Sequence, residues 1–196
     1  MSYDPTFFSP GGRPADGDLR TEEVELVGPH LRLGGRVAVG RFTRLSDQIN
    51  HSRGYVLLRE ARLLRRNGQP TNLVVDELMV NQDEITFIGQ VPGAERSAPV
   101  ETTPLSSFDR PTLEREPRRF VIFTPGHSLT GTVHVYREMT LPTFVDTTDP
   151  RFVTMTNVTA RSLADRRVIS HFDLLLVNRT QMTAAAEASK ARAVSD

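Results

Sequence analysis

The chain has 196 residues, 24 basic against 24 acidic side chains, and neither cysteine nor tryptophan. Without cysteine there is no disulfide framework, thiolate nucleophile or cysteine-held metal, and balanced charge argues against nucleic acid as the default partner. No run approaches the roughly 18 apolar residues of a membrane helix, and Met1-Ser2-Tyr3-Asp4-Pro5 lacks the basic and apolar regions of a signal peptide, so the expected setting is cytoplasmic, with no membrane partner.

Residues 1–28 read as a disordered N-terminal arm. Pro5, Pro10, Gly11-Gly12, Pro14 and Gly17 punctuate a stretch whose net charge is −4 through residue 29. Acids, glycine and proline offer little to a core.

Residues 29–90 read as a first β module, net +3 from residue 30 onward. Leu31, Leu33, Val37 and Val39 alternate with polar residues and glycine, a period of two that marks strands. Gly34-Gly35 has neither the Walker nor the dinucleotide spacing and marks a bulge or a close backbone approach. Arg44 to Asn50 breaks the pattern: Leu45 and Ile49 are four apart, and Ser46 or Asp47 could cap one short helix. Tyr55 begins a strand running through Ala61 and Leu64, and Asn67-Gly68 predicts a tight hairpin turn. Leu73–Val80 returns, the turn Asn81-Gln82-Asp83-Glu84 follows, and Ile85–Ile88 closes the module.

Residues 91–118 carry Pro92, Pro99, Pro104, Pro111 and Pro117 and predict an extended linker. Residues 119–183 then repeat the first plan. At a shift of 96, Gly35, Val37 and Val39 meet Gly131, Val133 and Val135. Leu45, Ile49 and Asn50 meet Leu141, Val145 and Asp146, and Val56-Leu57 meets Phe152-Val153. At a shift of 97, Val80-Asn81 meets Val177-Asn178 and Ile85 meets Met182. A nearly constant register over some 50 residues predicts an internal duplication. The alanine-rich tail, residues 184–196, predicts a short C-terminal helix or a disordered end.

The fold expected is mainly β: two tandem small antiparallel barrels or bent sheets, related by duplication, with a short C-terminal helix. Modules of about 60 residues bury too little surface to be comfortable alone, so they are expected to pack on each other or on another chain.

The residues that carry the pattern resemble a small β-rich bacterial domain of unknown function. In the first module these are Gly35, Val37, Arg44-Leu45-Ser46-Asp47, Asn50, Tyr55, Ala61, Val80-Asn81 and Ile85. In the second they are Gly131, Val133, Leu141, Asp146, Phe152, Val177-Asn178 and Met182, with Pro142-Thr143 in place of Ser46-Asp47. The resemblance implies an SH3-like or Sm-like small barrel and no activity.

Chemistry is sparse. His30, His51, His127, His134 and His171 form no metal-binding spacing, and no serine sits in a nucleophile elbow. Asp76-Glu77 and Asp83-Glu84 are adjacent on strands or turns and cannot aim two carboxyls at one substrate. Neither an enzyme nor a cofactor is therefore expected. The candidate interaction residues are the polar segment Arg44, Ser46, Asp47 and Asn50, and two clusters flanking the hairpins, Arg62, Arg65 and Arg66 in one module and Arg166 and Arg167 in the other. The function expected is a non-enzymatic interaction, scaffold or assembly protein, binding a protein partner or itself. The alternative is a nucleic-acid or nucleotide-binding regulator whose arginines contact phosphate. In the polar segment, recognition competes with simple helix capping.

Overall fold

The structure, a computed structural model, describes residues 20–40, 42, 44–65, 68–91, 115–147 and 149–188. The first half runs β1 (Thr21–Val27), β2 (Arg32–Ala38), α1 (Leu45–His51), β3 (Tyr55–Leu64), β4 (Pro70–Asn81), a 3-10 turn at Gln82–Glu84 and β5 (Phe87–Gln90). The second half runs β6 (Arg115–Thr124), β7 (His127–Tyr136), α2 (Leu141–Asp146), β8 (Phe152–Ser162), β9 (Val168–Asn178), a 3-10 turn at Arg179–Gln181 and β10 (Ala184–Glu187).

All ten strands belong to one antiparallel sheet ordered β10-β6-β7-β8-β9-β5-β1-β2-β3-β4. Each half thus places its last strand beside its first, and β9 joins β5. Among the described residues the sheet does not close on itself, and β4 and β10 are its two unpaired edges. Where two tandem small barrels or bent sheets are expected, the described strands of both halves join in one open ladder.

Sequence boundaries shift for physical reasons. The expected arm yields a central strand, because β1 hides its acids in pairs. The buried Glu22 accepts from Arg20 (2.9 Å) and from Gln90 Nε2 (2.6 Å), and Glu25 accepts from Arg32 at 2.5 Å. Val24 and Leu26 on the same strand are fully buried. The remainder of the expected arm, 1–19, lies outside the described residues. So does 92–114 of the expected linker, whose end, from Arg115, is already strand β6. Pro117 costs no bond to β10, which pairs only with Phe120–Phe123. The expected tail helix is overturned at Ala184–Glu187: with β6 alongside offering a ladder, pairing overrides alanine's helical preference. Residues 189–196 lie outside the described residues.

The glycine reading holds. Between Gly34 and Arg36 the β2–β3 register jumps from Arg62 to Arg59, and between Thr130 and Thr132 the β7–β8 register jumps from Thr159 to Thr156. Both are bulges, with Glu60 and Asn157 at φ 49° and 51°. A Cβ at Gly35 would stand 2.8 Å from Arg59 O, and one at Gly131 would stand 3.0 Å from Thr156 O. Of the hairpin expected at Asn67-Gly68, Asn67 lies outside the described residues, Gly68 has φ 80°, and Arg65 N–H donates to Gln69 O.

The bulges and the opposing pairs Tyr55–Asn81 and Phe152–Asn178 set Tyr55-Val56 against Phe152-Val153. The shift of 97 therefore begins after the helix, one strand earlier than the sequence alignment placed it.

Two apolar cores lie along the sheet, and each borrows from the other half. The first core holds Leu26, Leu45, Ile49, Val56, Leu58 and Ile88, together with Phe152 and Leu176. The second holds Phe120, Ile122, Phe144, Met155, Phe172 and Leu175, together with Val27 and Phe87. Removing such apolar area from water is the main stabilising term.

The helices differ. In α1, Leu45 and Ile49 are buried as the spacing predicts, but Arg44 is the N-cap and no side chain caps the helix. Ser46 Oγ instead donates to Asp47 Oδ1 at 3.4 Å. The capping role expected of Ser46 or Asp47 is thus corrected. In α2, Thr140 caps by accepting from Thr143 N–H, and the buried residue is Phe144 in place of the expected Leu141–Val145 pair. Thr140→Ala is expected to cost about 1 kcal/mol, whereas Ser46→Ala and Asp47→Ala should each stay within about 0.5 kcal/mol. Thermal denaturation of the three variants separates these outcomes.

Candidate interaction site

A groove of about 910 Å³ lies between the halves. Its walls include Arg44, Ser46, Asp47 and Asn50 from α1, so the structure does bring this sequence-predicted segment together on one surface. Opposite stand Arg115, His134, Tyr136, Asp149 and Arg179.

Much of this polar lining is already bonded inside the chain: Asn50 joins the two halves, while Arg115 and Arg179 bond within the second half. Asn50 acts as a clamp: its Nδ2 donates to Phe152 O at 3.0 Å and its Oδ1 accepts from Phe152 N–H at 2.8 Å. This is a side chain imitating one rung of a β ladder. Arg115 donates to Tyr136 Oη at 3.1 Å and lies over the same ring. Arg179 donates to Phe144 O and Pro150 O and covers the Phe144 ring at 4.8 Å. Burial pulls its guanidinium below its ordinary value, against the opposing pull of Asp149. Among the described residues no group of three His, Asp or Glu side chains could hold a metal. What the groove leaves at the surface is Arg44 and Asp47, the exposed members of α1's first turn.

The arginine clusters are not brought together. Strands β5, β1 and β2 lie between the β3–β4 hairpin and the β8–β9 hairpin. Arg62 stands 3.9 Å from Glu60 and Arg167 stands 3.8 Å from Asp165. Arg65 closes its turn through its backbone, and Arg166, at φ 56°, accepts from Arg161 through its carbonyl. Arg66 lies outside the described residues. Acids beside the clusters weaken the charge a phosphate backbone would meet.

The junction between β9 and β5 shows what this sheet uses for docking. Phe87, Ile88 and Gly89 face Val177, Leu176 and Leu175, and Asn178 N–H donates to Thr86 O at 3.0 Å. The fully buried Asn178 sends Nδ2 to Gln82 O (2.9 Å) and Ile85 O (2.8 Å), while its Oδ1 accepts from Thr180 N–H and Oγ1. Arg151 pairs with Asp83, and Gln181 Nε2 donates to Asp83 O at 2.8 Å.

A second surface, which sequence reasoning missed, is the β4 edge, which no strand covers among the described residues. Of the eleven large apolar side chains exposed among the described residues, Tyr55, Leu57, Leu73, Val74, Val75 and Met79 sit on β3 and β4. The concentration of six on one edge hairpin is an exposed apolar patch, the usual mark of an interaction site. Periodicity alone could not reveal it, because exposure at an edge depends on which strand lacks a neighbour.

Comparison with protein-family models, with curated proteins and with solved structures finds no match. Among the described residues no helix is long and apolar enough to cross a membrane.

Proposed function

We propose that this chain is a non-enzymatic assembly protein, made of two related small β modules fused into one sheet, which binds protein through the free β4 edge. The resemblance to a small bacterial β domain supports the modular part of this reading. The observation that carries the functional part is the apolar strip Tyr55, Val75 and Met79 beside an unpaired strand. An unpaired edge offers a row of backbone donors and acceptors, and natural proteins usually guard such edges with charge, proline or cover. Here β4 opens on Pro70 and carries Asp76 and Glu77, set among the exposed apolar residues Leu73, Val74, Val75 and Met79. Strand addition supplies affinity from the backbone and specificity from alternate side chains.

Met79→Arg tests the reading. Truncating or charging a central apolar anchor typically costs 2 kcal/mol or more of binding, so partner retention by the immobilised chain is expected to fall at least about tenfold. The melting temperature should move by only a few degrees, because Met79 is 58% exposed. Undiminished retention would remove β4 as the docking edge.

A further inference from the structure

We infer that the partner of β4 is β10 of a second copy of this chain, joined in the register that already joins β9 to β5 within the chain. This rests on β4 being a docking edge and goes further by naming the occupant.

The two free edges are the counterparts of the two strands in the internal junction. β4 occupies in the first half the place of β9 in the second, and β10 occupies the place of β5. Carrying the internal register across puts Val80, Met79 and Leu78 opposite Ala184, Ala185 and Ala186.

Side chains that the internal junction buries are bare at these edges. Leu176 is 0% exposed and its counterpart Met79 is 58% exposed; Phe152 is 0% exposed and Tyr55 is 51% exposed. On the receiving side, Val145, which the 96-residue shift sets against the fully buried Ile49, is 48% exposed. Inside the chain Phe152 and Leu176 enter the core formed by Leu45, Ile49 and Ile88. Between chains Tyr55 and Met79 would pack against Leu141, Val145 and Ala185. The apolar surface left over at one end of the molecule is therefore complementary in place to the surface left over at the other.

Shape follows the same rule. Within the chain the Phe172 ring lies where a Cβ on Gly89 would sit. At the free edges the counterparts are Val75 and Ala186: the large partner has shrunk where the small one has grown.

The polar contacts carry over in part. Asn81 Oδ1 already accepts from Asp83 N–H, as Asn178 does from Thr180 N–H, which leaves Nδ2 to reach the carbonyls of Arg179 and Met182 in a second chain. Asp146 can accept from Tyr55 N–H, but it cannot donate to Tyr55 O as Asn50 donates to Phe152 O. Gly54 and Thr180 replace the Arg151–Asp83 pair, and Glu84 replaces the donor Gln181. The contact between chains is accordingly weaker than the one within the chain, and reversible. Because unlike surfaces meet, repetition gives a closed ring or an open filament, and β4 never pairs with β4.

Disulfide trapping tests this, since the cysteine-free chain gives no background. Met79→Cys and Ala185→Cys are made singly and mixed under mild oxidation, with scattering of the wild-type chain followed from 1 to 200 µM. Opposed residues on neighbouring strands stand within disulfide reach. The expected product is the mixed 79–185 dimer, at least fivefold over either like-with-like dimer, with wild-type mass rising above 21.9 kDa as concentration increases. A dominant 79–79 product would show two β4 edges pairing symmetrically and would overturn the inference. So would a chain that stays at single-chain mass without cross-linking. If Met79→Arg still lost a different protein in that case, β4 would stand as a docking edge and only the occupant would be wrong.

Discussion

Gly89→Ala is expected to destabilise the fold by about 2 to 3 kcal/mol, the upper part of the range for overpacking a filled core. The position allows no easy escape. The added methyl would overlap the Phe172 ring, which is itself buried between Phe87 and the β8 side chains of the second core. At this chain length the loss corresponds to a melting temperature lower by about 5 to 10 °C. Phe172→Val alone opens a cavity and should also destabilise, by about 2 kcal/mol. Combined, the two changes should cost less than their sum by at least about 1 kcal/mol, because each relieves the defect the other creates. Strictly additive losses would mean that the ring and the glycine are not in contact.

The second large effect is expected at Asn178. Asn178→Leu strands Gln82 O, Ile85 O and the Thr180 donors in a fully buried setting. A buried group that loses its partner costs about 1 to 3 kcal/mol, so a total of about 3 to 5 kcal/mol is expected in urea denaturation. Asn81→Leu provides the contrast. Asn81 holds the same place in the first half but lies at the unpaired edge, where among the described residues Asp83 N–H depends on its side chain. Its loss should stay near 1 kcal/mol. Equal costs at the two positions would contradict the account of the junction as a buried, polar-locked seam.

These two positions also show where sequence reading reached its limit. Alternation, the paired glycines and the Leu45–Ile49 spacing are local signals, and they located β2 to β4, the bulge at Gly34-Gly35 and α1, with β5 lying two residues later than expected. Asn178 was visible only as a repeated residue, since the two bonds that lock the seam go to Gln82 O and Ile85 O, groups brought near by folding. β1 was lost behind its glutamates, because nothing local says that Glu22 will meet Arg20 and Gln90. β10 was misread from alanine's propensity, which a neighbouring strand overrides. Of the candidate interaction residues, Arg44, Ser46, Asp47 and Asn50 do share a groove, yet Asn50 is spent on joining the halves. Tyr55 and Met79 were read simply as strand residues, because exposure at a sheet edge is decided by strand order.

The claim that β4 and β10 are edges awaiting continuation can be measured at the backbone itself. Asn178 N–H points at β5, so by the two-residue alternation of an antiparallel ladder Glu77, Met79 and Asn81 are among the β4 residues whose amides point outward. Hydrogen exchange of the purified chain at 1 and 200 µM reads them directly. Continuation of the sheet predicts that exchange in 77–81 and in 184–187 slows together, at least about tenfold, while β1 and β2 keep their rates. Rates in both segments that are the same at the two concentrations would contradict it.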